Sequence, residues 1–327
     1  MFYRKLLVTA VSLHSLALTA WLLLRLLRGE SSVSVALMNA VGVWWFVPLL
    51  VLLPIALLIR ARQALIISLI FVLLALFFFG PDWRAQEAAA DNAAQLRVLS
   101  FNALFKNESY EAVEALIREH QPDLIAIQEL SPEMAHQLKV RLGEEYPHQL
   151  LYPRSDPRGI GIWSRHPLTE GPSRNIDWWD NWVHSAIVHV EGQAIQLFNV
   201  HLYPFHGSSR HLMAQRLGRQ HLQAQQLRDL VSEVDIPVLV VGDFNMSPTN
   251  ESYTILNELL DDAWRQVAIG PGFTYPAPGS VIPWTPAFLR IDYFWIRGAI
   301  APLDIQVLNQ AGSDHLPLLG EFVVPTQ

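Results

Sequence analysis

The chain has no cysteine among its 327 residues. That absence excludes disulfides, thiolate metal sites and a cysteine nucleophile, and it is silent about the redox compartment. Charge is also scarce, at 16% of residues against 51% hydrophobic. The shortage is uneven. Residues up to about 80 are leucine-rich and almost uncharged, while the remainder has the mixture of a soluble enzyme. There is no internal repeat and no low-complexity tract. The length allows one large domain plus a membrane portion.

Three apolar runs fill the amino-terminal part. Leu6 to Leu27 is interrupted only by His14 and Arg25, Ala36 to Ile59 carries no charge, and Ala64 to Gly80 is shorter but also uncharged. A bilayer asks for about 20 apolar residues per helix, so these read as three transmembrane helices. Arg4 and Lys5 precede the first run as they would in a signal peptide. Its apolar core is too long for that reading, and two further runs follow. Three buried core helices are the bland alternative. Arg4, Lys5, Arg60 and Arg62 fall on one side of these spans, and Arg25, Arg28 and Arg84 on the other. The positive-inside rule then puts the amino terminus in the cytoplasm and the carboxy-terminal domain outside it.

Residues 81–95 are polar and alanine-rich without an apolar face, the pattern of a linker between an anchor over 1–80 and a domain over 96–327. That domain holds 16 Lys and Arg against 26 Asp and Glu. An acidic surface is poorly suited to a long sequence-independent grip on polyanions, which draws its affinity from phosphate neutralisation. The domain alternates strand-like and helical stretches. LRVLSFNAL, DLIAIQEL, HQLLYP, GIGIWSRHPL, HSAIVHVEG, QAIQLFNVHL, PVLVVGDF, RIDYFWIRG and PLLGEFVV read as strands. Tyr110–His120, Pro132–Leu142 and His211–Val234 read as helices, and EGQ as a tight hairpin. Many strands and few helices argue for two packed sheets with helices outside.

Polar groups punctuate the ends of these strands. Asn102 closes LRVLSFN, Glu129 lies in LIAIQEL, His201 closes FNVH, Asp243 and Asn245 sit in GDFN, Asp292 opens IDYF, and Asp314 and His315 stand in tandem in SDH. Singly, each fits a structural role: Asp243 and Asn245 an Asx turn, Asn102 a strand cap, His201 a half-buried histidine, Asp292 a surface partner of Arg290. Together they match a phosphodiester hydrolysis site. That chemistry needs a cation on the phosphate, a base for water and a donor for developing charge. Glu129 and the Asn102 amide suit magnesium, which takes one or two carboxylates plus waters. Asp243 is the candidate base and Asn245 orients water or phosphate. His315 is the donor, with Asp292 fixing its tautomer, and His201 is a further donor.

SFN, QE, NVHL, GDFN, ID and SDH, in that order, resemble the endonuclease/exonuclease/phosphatase superfamily. Its members include deoxyribonuclease-like nucleases, AP endonucleases, neutral sphingomyelinases and inositol-polyphosphate 5-phosphatases. The resemblance runs from Leu96 to Val324 and includes GIGIWSRHPL, with Ser164 and Arg165. It implies a four-layer α/β sandwich and a divalent metal, magnesium or manganese, at Asn102 and Glu129, with Asp314 as ligand or close neighbour. It also implies Asp243 as the activator of water, Asn245 and His201 on the phosphate or leaving group, and His315, oriented by Asp292, on the transition state. Leu104 stands where many AP endonucleases carry an acid, which disfavours a second metal and abasic-site repair. The chain thus reads as a bacterial inner-membrane member of that superfamily.

Loops set the substrate. DWWDNW, with Trp178, Trp179 and Trp182, could stack bases, bind sugars, meet lipid headgroups or simply pack. Thr274–Tyr275 lies where the superfamily favours Thr-Trp, and reads as structural. The leading expectation is a membrane-tethered phosphodiesterase acting on nucleic acid or phospholipid, with the bilayer as a partner. A phosphomonoesterase would recruit Arg158, Arg165 or Arg210 to a dianionic group. A non-catalytic membrane binding module would show broken motifs, and no catalytic residue type is missing.

Overall fold

The computed structural model describes residues 2–80, 94–171, 184–281 and 283–324. Most of the expected linker and the whole Trp178–Trp182 cluster lie outside the described residues.

The apolar part forms α1 (Phe2–Arg28), α2 (Val33–Ala40), α3 (Leu49–Leu58) and α4 (Arg62–Phe79). Helices α1 and α4 are each long and apolar enough to cross a bilayer. The run expected as one continuous span, Ala36 to Ile59, is broken. Val33–Ala40 and Gly42–Leu58 meet at 74° at Val41, just before a 3-10 turn over Gly42–Trp45. The bend sits against the domain: Gly42 lies so near Thr249 that a Cβ there would meet its Oγ1 at 2.2 Å. Charge-free length signals apolar burial but carries no information about straightness.

The remainder runs β1 (Ala94–Asn102), α5 (Tyr110–His120), β2 (Leu124–Gln128), α6 (Pro132–Leu142), β3 (His148–Tyr152), β4 (Ile160–Ser164), β5 (Leu168–Glu170), β6 (His184–Val190), β7 (Gln193–His201), α7 (Arg210–Ser232), β8 (Val238–Asp243), α8 (Glu251–Asn257), β9 (Asp261–Asp262), α9 (Ala263–Val267), β10 (Asp292–Arg297), β11 (Ala301–Val307) and β12 (Leu318–Val324). Local chemistry sets several boundaries. Ser131 caps α6 by accepting from Met134 N–H, with Pro132 in the first turn. Between β6 and β7, Glu191 and Gly192 both take positive φ, 49° and 85°, as a two-residue hairpin requires. Strand β11 and helix α8 have no counterpart in the sequence reading. APLDIQV opens with proline and carries an acid, and α8 is only seven residues long.

The strands form two six-stranded mixed sheets, in the orders β11-β12-β1-β2-β4-β3 and β5-β6-β7-β8-β10-β9. Each has one parallel pair, β1–β2 and β7–β8, joined by a helical crossover and flanked by antiparallel strands. The sheets pack face to face. Leu96, Val98, Leu124 and Ala126 of one meet Leu197, Leu239, Val241 and Phe294 of the other. Alternate residues point outward: Leu99, Phe101, Ile125 and Ile127 lie under α5 and α6, and Phe198, Val200, Val238 and Val240 under α7 and α8. The four-layer α/β sandwich is therefore confirmed. Strands covered on both faces need apolar residues at every position, which is why they read as continuous runs.

His184, the first residue of β6, is buried at 3% exposure, and neither ring nitrogen has a hydrogen-bond partner. Its ring meets Tyr152 edge-on at 4.7 Å. Burial pushes its pKa down to about 4 from 6.5. The unfolded chain takes up this proton below pH 6.5 and the folded chain does not, so stability falls between pH 6.5 and 4. His184→Phe keeps the ring and removes the titration. Denaturant unfolding of the detergent-solubilised protein should show the variant losing about 2–3 kcal/mol less than the parent between pH 7 and pH 4.

Candidate functional site

The topology gathers the polar strand ends onto one edge. Asn102, His201 and Asp243 close β1, β7 and β8, and Glu129 directly follows β2. Asp292 opens β10, which runs antiparallel to β8 with Asp292 paired to Asp243. His315 shortly precedes β12, antiparallel to β1. Carboxyl ends of parallel strands and amino ends of their antiparallel neighbours share an edge, so six distant segments meet there.

Asp243 lies at the centre, fully buried. Its Oδ2 accepts from Asn102 Nδ2 at 3.0 Å and Asn245 Nδ2 at 3.1 Å. The same oxygen faces His201 Nε2 at 3.5 Å and His315 Nε2 at 3.6 Å. Oδ1 accepts from Asn245 N–H at 2.8 Å. Asn102 Nδ2 also reaches Glu129 Oε1 at 3.3 Å, and Glu129 Oε2 accepts from Phe105 N–H at 3.2 Å. Seven of the eight expected residues thus form one connected cluster. The eighth, Asp314, adjoins it through Ser313, whose Oγ lies 3.5 Å from its Oδ1.

The backbone is set for this arrangement. Glu129 and Asn245 both take positive φ, 55° and 50°. For Asn245 that region is mild, while for Glu129 it stores strain that the surrounding contacts hold. Gly242 sits at φ 139°, where a Cβ would lie 1.9 Å from the Val200 carbonyl oxygen. No other residue brings β8 this close to β7.

The two imidazoles are oriented alike. His315 Nδ1 donates to Asp292 Oδ2 at 3.0 Å, and His201 Nδ1 donates to the Pro157 carbonyl at 3.1 Å. A carbonyl only accepts, so each Nδ1 carries hydrogen and each Nε2 turns to Asp243. Asp292 is not a partner of Arg290, which pairs instead with Asp262 at 2.6 Å. Burial and the nearby Asp292 charge raise the Asp243 carboxyl to about 6, although His315 and His201 oppose this. Burial alone would lower His315, but the Asp292 and Asp243 carboxylates outweigh it and hold its pKa well above the usual imidazole value. A carboxylate of this kind can take a proton from water, and the imidazolium can donate to an anion.

The donor chemistry fits a hard divalent cation. Glu129 and Asp243 converge on one amide, the chain has no cysteine thiolate to offer, and Asp243, Asp292 and His315 each offer a ligand atom within 4.8 Å of the others. Solvent reaches Glu129 more readily than the deeper acids: its side chain is 14% exposed against 0% for Asp243 and 4% for Asp292.

Three supporting groups had only weak sequence signals. Ser313 Oγ donates to the Asn102 carbonyl at 2.6 Å and accepts from His315 N–H at 3.1 Å, tying SDH to SFN. Tyr275 lays its ring 4.9 Å from that of His315, while Thr274 is fully buried beside it. Gln128 and Asn199 join the two sheets through a 2.7 Å hydrogen bond beneath the site. A polar residue inside an apolar strand was the available clue to the last pair. Arg158 pairs with Asp156, Arg165 lies over Tyr146, and Arg210 reaches Ser32 and Ser34.

The model of the Endonuclease/Exonuclease/phosphatase family matches residues 99–315. The chain belongs to that family. A D. rerio TDP2 humanised by 14 mutations shares its fold, with a TM-score of 0.57 at 18% identity over 70% of this chain and 98% of that one. The family protein from Beutenbergia cavernae gives 0.51 at 21% identity, over 71% and 72%. Among curated proteins, an inositol phosphosphingolipids phospholipase C of Schizosaccharomyces pombe is 24% identical over 208 residues, 55% of this chain. The chain spans about half, 48%, of that relative's length. Members of the family are typically hydrolases of phosphoester bonds, and this chain carries their fold.

The His315–Asp292 pair gives a direct test. With Asp292→Asn the ring keeps a partner but loses the charge that supports the imidazolium. Turnover of a phosphoester substrate should drop about 10–100-fold with KM little changed, whereas an unchanged kcat would remove Asp292 from the site's chemistry.

Proposed function

We propose that this protein is a membrane-tethered, divalent-metal-dependent phosphodiesterase that hydrolyses phospholipid by activated water. The observation carrying the proposal is the convergence of Asn102, Asn245, His201 and His315 on one oxygen of the buried Asp243. Glu129 and the Asn102 amide, with Asp314 close by, would hold the cation, magnesium with manganese as the alternative. When bound, the cation would neutralise charge on the substrate phosphate.

The protein residues supply the remaining steps. Asp243 takes the proton of the attacking water, which Asn245 orients. Charge develops on the phosphoryl oxygens, and His315 Nε2 donates to it while Asp292 holds Nδ1. His201 serves as a donor on the phosphate or leaving-group side. Leu104, in place of an acid, supports one cation rather than two.

Phospholipid is favoured over nucleic acid on three grounds. The domain is acidic, and α1 and α4 offer apolar surfaces suited to a bilayer. The relative named for phosphosphingolipids agrees in substrate class. Orientation follows from the far end of the helices. Arg4, Lys5, Arg60 and Arg62 cluster there, and Arg4 donates to the Ile59 carbonyl, while Gly80 meets the domain through Arg265. Basic residues on the far side favour an orientation with the catalytic domain outside the cytoplasm.

The test is hydrolysis by the full chain in nanodiscs, with magnesium or chelator, of phospholipid, labelled DNA and small phosphomonoesters side by side. The expected result is magnesium-dependent release of the phosphorylated headgroup, reduced at least 10³-fold in Asp243→Asn. Preferential cleavage of DNA or of monoesters would overturn the substrate assignment, and full activity in the variant would overturn the mechanism.

A further inference from the structure

The apolar helices are seated on the catalytic domain, and the seam holds a half-open cavity of about 360 Å³. One wall comes from the bend between α2 and α3, with Val43, Trp44 and Val47. The other comes from the loop after α9, with Phe273, Phe288 and Leu289. Trp44 stacks on Phe273 at 5.7 Å and donates its indole N–H to the Phe288 carbonyl at 2.9 Å, which fixes the seam.

The polar side chains on the walls are already engaged. Ser247 and Thr249 donate to the Asn39 carbonyl, Arg265 to the Gly80 carbonyl, and Arg290 to Asp262. What faces the cavity is therefore mostly hydrocarbon, which favours an apolar ligand. The surroundings identify its source. Val47, Leu50 and Val51 on the same segment are 38%, 75% and 61% exposed, a surface that requires lipid around it. The domain loop carries Ile269 and Trp284 at 99% and 98% exposure, side chains suited to a bilayer interface.

The cavity also shares a wall with the candidate site. Phe273 and Phe288–Leu289 flank a short pairing in which Thr274 and Tyr275 N–H donate to the Leu289 carbonyl at 2.9 and 3.0 Å. Tyr275 in turn lies against His315 on the other side.

We propose that this seam cavity binds one acyl chain of a membrane lipid, so that a phosphodiester headgroup at Asp243 and a chain beside Trp44 belong to one substrate-binding surface. Its functional half rests on the phospholipid reading above; binding itself does not. The test uses the full chain in nanodiscs containing phosphatidylcholine with a photoreactive diazirine on one acyl chain, with adducts mapped by peptide mass spectrometry. Adducts are expected at residues 43–47, 273 and 288–289, competed by dioleoyl but not dibutyroyl phosphatidylcholine. Val43→Phe and, independently, Val47→Phe should reduce them at least fivefold and lower the ratio of lipid to bis(4-nitrophenyl) phosphate turnover about tenfold. Label confined to the outward faces of α1 and α4, or unaffected by both variants, would overturn the proposal. Cavity labelling without hydrolysis of any substrate would support the acyl site and count against the phosphodiesterase reading alone.

Discussion

Burying a carboxylate is expensive unless its lone pairs and charge are met, and Asp243 is buried completely. The rest of the site follows from meeting that demand. Two amides and two imidazoles surround one oxygen, a backbone N–H satisfies the other, and each imidazole is held by an acceptor on its far side. Satisfying one group in this way fixes the positions of six strand ends, and the two parallel pairs at the sheet centres bring those ends together. The outcome is a raised carboxyl pKa beside a cationic imidazole, an arrangement prepared for moving a proton and stabilising an anion.

The seating of the apolar helices is built with comparable care. Glu30, in the turn after α1, is buried and accepts from Asn39 and Asn250, each at 2.7 Å, and pairs with His221 at 3.0 Å. Burial would raise its pKa, but these bonds outweigh that and hold the carboxyl below its usual range. Asn250 closes the loop that begins at Asn245, so the helical part is bonded to the segment emerging from the site. A tether attached only by a flexible linker would have no use for such contacts.

Much of this was legible in the sequence because its physical signals are local. Continuous apolar runs report strands covered on both faces, and β1, β2, β7 and β8 stand where those runs lie. Polar residues at the ends of such runs report an edge, and all eight named residues lie on or beside one cluster. What escaped depends on tertiary context. The bend beside Gly42 packs against Thr249, some two hundred residues away, and hydropathy does not register it. Strand β11 lacks an apolar run because only Pro302 and Ile305 of its seven residues are buried, three apart across the register shift at Pro302/Asp304. Ser313 and Tyr275 act through partners that no spacing rule connects, and Glu30 acquires its meaning only when Asn250 and His221 arrive.

The central claim is that this pocket directs a water molecule at phosphorus, with Asp243 taking its proton. The most direct measurement is hydrolysis of the phospholipid in water enriched in oxygen-18, with both products analysed by mass spectrometry. The account predicts one labelled oxygen in the released phosphomonoester and none in the lipid alcohol. Label in the alcohol would mean cleavage of the carbon–oxygen bond, which contradicts the account.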